Sequence, residues 1–82
     1  MKIRLTRGKN ILGGPAYRYE SGTYRYVTTK DDEWWVTRIY VLERVGTMDP
    51  PLMIGGRCVG TLMNLSLREA REEIALDVEK RA

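Results

Sequence analysis

Residues 17–26 read Tyr-Arg-Tyr-Glu-Ser-Gly-Thr-Tyr-Arg-Tyr, almost the same in both directions. Few folds accommodate such a stretch. Ser-Gly supplies a short turn, because glycine accepts a positive φ, and the tyrosines on either side favour extended chain. A two-residue turn at Ser21-Gly22 predicts Tyr19 opposite Tyr24, Arg18 opposite Arg25 and Tyr17 opposite Tyr26. Side chains alternate across a sheet, so the four tyrosines fall on one face and the two arginines on the other. Directly opposed arginines repel. The pairing therefore calls for an anion, a carboxylate or solvent between them.

The charge pattern sharpens this expectation. The net charge is only +3, but residues 1–30 hold seven Lys or Arg and a single Glu. A basic stretch of this kind attracts phosphate through Coulomb forces and counterion release. With 82 residues, 43% hydrophobic and 30% charged, the composition fits one folded domain with a single small core. No apolar run approaches the ~18 residues of a membrane span. The opening Met1-Lys2-Ile3-Arg4-Leu5-Thr6-Arg7 alternates apolar and polar residues, unlike a secretory leader, which predicts a cytoplasmic protein. Cys58, the single cysteine, has no internal partner and is expected as a small buried hydrophobe.

Along the chain, Ile3 and Leu5 alternate with Lys2, Arg4 and Thr6, the pattern of a half-buried edge strand guarded by charge. Gly8-Lys9-Asn10 and Gly13-Gly14-Pro15 read as turns. A glycine-rich basic loop suggests phosphate cradling, but no Gly-Lys-Ser/Thr follows, so this is not a P-loop. After the hairpin of residues 16–29, Lys30-Asp31-Asp32-Glu33 forms a polar turn. Trp34 to Leu42 is the strongest strand, rich in aromatic and β-branched residues. One of its faces carries Trp34, Val36, Arg38, Tyr40 and Leu42. The segment from Val45 to Gly56 holds Pro50-Pro51 and Gly55-Gly56 and reads as a loop, with a short edge strand at Leu52-Met53-Ile54. Arg57 to Leu62 is a last short strand.

The C-terminal segment is helical. Ser66-Leu67-Arg68-Glu69 has the form of a capping box, with Ser66 as N-cap and Glu69 three residues on. Leu67, Ala70, Ile74 and Val78 share one helical face and form the stripe expected to pack on the sheet. Burying Leu67, Ile74 and Val78 contributes roughly 5–8 kcal/mol before conformational entropy. Leu76 points the other way, among Glu69, Glu72, Glu73 and Lys80. The expected fold class is α+β: a meander of four or five antiparallel strands within residues 1–62, packed against one helix at about 67–80, in a single domain over residues 1–82.

The residues for catalysis are missing. The chain has no histidine, the commonest general base and metal ligand. Cys58 therefore has no activating imidazole. Asp31-Asp32-Glu33 matches no cation loop, since consecutive residues at a strand turn diverge. Neither catalytic residues, a metal nor a cofactor is expected.

Trp35-Val36-Thr37-Arg38-Ile39, then Val59-Gly60-Thr61-Leu62, then Leu67-Arg68-Glu69-Ala70 with Ala75 and Asp77, resembles two related DNA-binding modules over residues 24–78. These are the plant ethylene-response DNA-binding domain and the arm-binding domain of phage-type integrases. The resemblance implies a three-stranded antiparallel sheet presented to the DNA major groove and backed by one C-terminal helix. It implies sheet contacts near Arg25, Thr28, Lys30, Trp34 and Arg38. The chain differs from that pattern at Thr28-Thr29, where the family is rich in arginine, at the acidic Asp31-Asp32-Glu33, and in a longer segment from Leu42 to Gly56. In overall style the chain is also similar to small accessory proteins of actinobacterial phages, which implies action in a bacterial host's cytoplasm.

Two partner classes follow. A nucleic-acid partner would be held by Lys2, Arg4, Arg18, Arg25, Lys30, Trp34 and Arg38, with arginine on phosphates or guanine edges and aromatic rings on bases or sugars. A protein partner, either a host protein or a second copy, would meet Tyr17, Tyr19, Tyr24, Tyr26, Trp34 and Leu76, because aromatic residues also dominate protein interfaces.

Overall fold

The structure is a computed structural model and describes residues 2–9, 14–47, 49 and 52–81. Five strands, β1 (Thr6–Lys9), β2 (Pro15–Ser21), β3 (Tyr24–Asp31), β4 (Trp34–Val45) and β5 (Leu52–Asn64), precede one helix, α1 (Leu67–Arg81). Each strand pairs antiparallel with its sequence neighbour, giving a meander in the order β1-β2-β3-β4-β5. The expected fold class and the terminal helix are therefore observed.

The hairpin turn lies one residue later than Ser21-Gly22. Ser21 pairs with Tyr24, leaving Gly22 and Thr23 at the tip, and Gly22 supplies the positive φ of 58°. The register follows: Tyr19 lies opposite Tyr26, Glu20 opposite Arg25, and Arg18 opposite Val27. The expected Arg18–Arg25 pair is absent. Each candidate turn places Gly22 in the loop, but the observed one exchanges a like-charge pair for an opposite-charge pair. Arg25 Nε donates to Glu20 Oε2 at 2.7 Å. The shift leaves alternation intact, so the tyrosines still share one face and Arg18 and Arg25 the other.

The helix covers the tyrosine face. Tyr26, Ile39, Ile74, Ala75, Val78 and Ile3 form the core, and Leu5, Tyr19, Tyr24, Val59 and Leu62 pack against it. Ile3 and Leu5 thus supply the apolar contacts expected of them. The strand beside them, however, begins at Thr6 and runs through Gly8-Lys9, read above as a turn, because Gly8 and Lys9 continue the ladder against Ala16 and Pro15. Ser66 caps α1, its Oγ accepting the Glu69 N–H at 3.1 Å. The expected stripe is buried at Ala70, Ile74 and Val78, with Ala75 added to it and Leu67 half-buried. Tyr26 Oη donates to Asp77 Oδ2 at 2.6 Å, and Arg81 Nε donates to the same oxygen at 2.6 Å. This ties β3 to the last turns of α1. Burial first, then the hydrogen bond and the charge of Asp77, push the Tyr26 phenol well above its ordinary value. The Arg81 guanidinium is pushed up chiefly by its hydrogen bond to Asp77.

The far end of the sheet departs most from expectation. β4 continues to Val45, and β5 is a single strand from Leu52 to Asn64, joining the short edge strand expected at Leu52-Met53-Ile54 to the one expected at Arg57 to Leu62. Gly55-Gly56 lies inside it. Two register irregularities opposite Tyr40 absorb the extra β5 residues. A Cβ at Gly56 would collide with the Glu43 side chain, whereas one at Gly55 would meet the Tyr40 side chain at an ordinary contact distance of 3.5 Å. Pro50 and Pro51, and Asn10 and Gly13 of the two turns read near the start of the chain, lie outside the described residues, while Pro15 of the second turn opens β2. Cys58, expected to be buried, is exposed on β5. No helix among the described residues is long and apolar enough to cross a membrane.

Candidate functional site

The face of the sheet opposite the helix collects the charged and aromatic side chains that no core contact uses. Cross-strand partners share a face, so the register builds it in rows. Arg18, Val27, Arg38 and Thr61 form one row, with Thr6 at its β1 end. The next row outward holds Glu20, Arg25, Tyr40 and Cys58. On the other side lies a floor of Ala16, Thr29, Val36 and Met63, and beyond it Asp31 faces Trp34. Ala16 and Val36 are buried to the same degree, at 6% exposure, although no helix covers them. The arginines therefore rise from an apolar floor.

Arg18 and Arg38 are exposed. Neither forms an ion pair with a described carboxylate; the ion pairs there join Arg25 to Glu20, Arg68 to Glu72 and Arg81 to Asp77. One strand separates the two arginines, which places their backbones about 10 Å apart. Arg4 belongs to the same surface: with Thr6, Arg18, Tyr19 and Glu20 it lines an open groove of about 400 Å³. Trp34 is 37% exposed at the rim.

Two expected members of the basic set lie elsewhere. Lys30 falls on the helix side by alternation, opposite Trp35, and its ammonium sits 5.4 Å from the Trp35 ring centre. Lys2 lines a separate groove with Ile3, Arg68, Arg71, Glu72 and Ala75. Of the positions implied by the DNA-binding resemblance, Arg25, Trp34 and Arg38 share the helix-free face, whereas Thr28 does not. Thr28 is fully buried, and its hydroxyl meets that of Thr37 at 2.7 Å.

The four hairpin tyrosines lie on the helix side of the sheet. Tyr26 is 1% exposed. Tyr19 stacks against it at 6.4 Å between ring centres, Tyr24 carries Arg81 over its ring at 5.1 Å, and Tyr17 meets Trp35 edge-on at 5.9 Å. Leu76 remains 65% exposed and lines a shallow groove with Leu62, Glu73, Asp77 and Lys80. Tyr40 was not among the expected contacts, yet it stands one row from Arg38 on the same face. The parity that joins it to Trp34 and Arg38 was available in the sequence.

Among the described residues no group of His, Cys, Asp or Glu could hold a metal ion. No protein-family model, curated protein or solved structure matches the chain.

Proposed function

We propose that this protein is a non-enzymatic nucleic-acid-binding module, an accessory protein that lays the helix-free face of its sheet against a duplex. The observation that carries the reading is the row joining Arg18 and Arg38 across β2, β3 and β4, with both guanidinium groups exposed and free of described carboxylates. The two arginine backbones stand about 10 Å apart, comparable to the ~12 Å width of the B-DNA major groove, so the five-stranded sheet, itself about 19 Å across, lies over the groove rather than inside it. The paired arginines then reach phosphates on its two walls, while Trp34 and Tyr40 lie on the same face for sugar or base contact.

The acidic turn at Asp31 to Glu33 is compatible with this placement. Asp31 lies four residues along β3 from Val27, the β3 member of the arginine row, or about 13 Å at strand spacing. That exceeds the Debye length of about 10 Å at 0.1 M salt. The acidic end therefore screens little of the arginine row and disfavours phosphate only at its own end, giving the bound duplex a preferred side.

The test is a fluorescence-anisotropy titration of a labelled duplex at low salt. Arg18→Ala with Arg38→Ala should weaken binding at least tenfold. Lys2→Ala with Arg71→Ala, in the groove on the helix side, should leave it unchanged. Absence of wild-type binding at tens of micromolar protein, or equal losses from both pairs, would overturn the reading.

A further inference from the structure

The two edges of the sheet are built differently. The β1 edge is four residues long and carries Arg7 and Lys9, the usual protection against stray pairing. The β5 edge runs for thirteen residues with a single charged residue, Arg57, and no proline. It is flanked by exposed apolar side chains at both ends: Leu52 (53%), Met53 (37%) and Ile54 (43%) at the start, Met63 (54%) and Leu65 (60%) at the finish. A long edge with one charge and apolar ends pairs readily with another strand.

We infer that the β5 edge pairs antiparallel with β5 of a second copy, about a two-fold axis at Cys58, to give one continuous ten-stranded sheet. The strand is complementary to itself in this register. Cys58 is its central residue, and the two register irregularities of the β4–β5 ladder fall on either side of it, between its pairing with Tyr40 and those of Ile39 and Leu42. A two-fold axis there sets the irregular step of residues 58–60 in one copy against that of residues 55–58 in the other. Met53 then meets Met63 of the other copy and Ile54 meets Leu62. Arg57 meets Val59, so no like charges oppose one another.

The faces agree as well. Met53 and Met63 both lie on the helix-free side, opposite Arg44 and Val36, while Ile54 and Leu62 both lie on the helix side, opposite Glu43 and Thr37. The axis is perpendicular to the sheet, so both helices stand on the same face of the ten-stranded sheet, one to each side of the seam. Ile54 of one copy then reaches the groove that Leu62 and Leu76 line on the other, a recess of about 240 Å³. Self-pairing thus gives a partner to the exposed Leu76 as well as to both ends of β5. A second copy fits better than an unrelated strand because the same short segment supplies both halves of each apolar contact. This inference does not depend on nucleic-acid binding.

Sedimentation velocity and cysteine cross-linking test it together. The wild-type chain should sediment as a dimer of the 9.5 kDa protomer at micromolar concentration. In a Cys58→Ser background, Met53→Cys combined with Met63→Cys should give a disulfide-linked dimer on mild oxidation with copper phenanthroline. Directly opposed residues are about 5 Å apart, within disulfide range. An internal link is impossible, since ten strand residues separate the two sites by about 33 Å. Neither substitution alone should cross-link. Met53→Lys with Met63→Lys sets like charges face to face and should yield a folded monomer with unchanged far-ultraviolet circular dichroism. A wild-type monomer at all accessible concentrations, or a dimer in which the 53–63 link fails to form, would overturn the inference.

Discussion

Replacing Tyr26 with phenylalanine removes one oxygen and nothing else from the core, which makes it a sharp probe of how the sheet holds the helix. The phenol is buried, and it donates to Asp77 Oδ2 at 2.6 Å. Hydrogen bonds to charged groups contribute about 1.5–3 kcal/mol. Asp77 keeps its bond from Arg81 in the variant, so the lower end applies and Tyr26→Phe should cost about 1.5 kcal/mol. For a domain of this size that corresponds to a fall in Tm of roughly 6–12 °C. Asp77→Ala should cost more, about 2–3 kcal/mol, because it strands a buried hydroxyl without an acceptor. The double variant should cost less than the sum of the two single changes, with a coupling of about 1.5 kcal/mol. Urea unfolding of the four proteins measures this cycle.

The same contact sets an alkaline limit. The folded-state value of Tyr26 is raised, so its contribution is fully present below the unfolded tyrosine value of about 10 and is lost as pH rises above it. Wild-type stability should decline through that window more steeply than that of Tyr26→Phe. A Tyr26→Phe cost below about 0.5 kcal/mol, additive single costs, or parallel alkaline profiles would refute the reasoning, since each is too small or too independent for a coupled bond to a carboxylate.

Two further outcomes concern stability. Thr28→Val should destabilise by about 1–2 kcal/mol by leaving the Thr37 hydroxyl without its partner, whereas Thr28→Val with Thr37→Val should recover most of that loss; chemical denaturation compares them. Ser66→Ala should cost about 1 kcal/mol through the lost N-cap, visible as earlier thermal unfolding of the circular-dichroism signal with the folded spectrum unchanged.

Much of this architecture is legible in the residues. Alternation across the hairpin separates tyrosines from arginines whichever two-residue turn is used. Ser66 and Glu69 mark the helix start, and the spacing of Ala70, Ile74 and Val78 marks its buried side. The register was less accessible, because Ser21-Gly22 and Gly22-Thr23 both satisfy the turn. The deciding term is the pairing of Glu20 with Arg25, a cross-strand contact rather than a local preference. The length of β5 was hidden for a related reason. Gly55-Gly56 reads locally as a break, and only the Glu43 side chain beside Gly56 shows why glycine suits a strand there. For the candidate site, Arg18, Arg25, Trp34 and Arg38 could be grouped by parity. Lys30 was carried into the group by its charge, although alternation puts it with Trp35 on the covered side.

The central claim is that the row containing Arg18 and Arg38 meets phosphate, and the salt dependence of duplex binding tests it most directly. Each neutralised phosphate contributes about 0.9 to the slope of log affinity against log salt. Arg18→Ala with Arg38→Ala should therefore lower the magnitude of the wild-type slope by about 1.8, measured by anisotropy from 50 to 200 mM salt. A variant whose slope equals that of the wild type would contradict the account, because the two arginines would then release no counterions on binding.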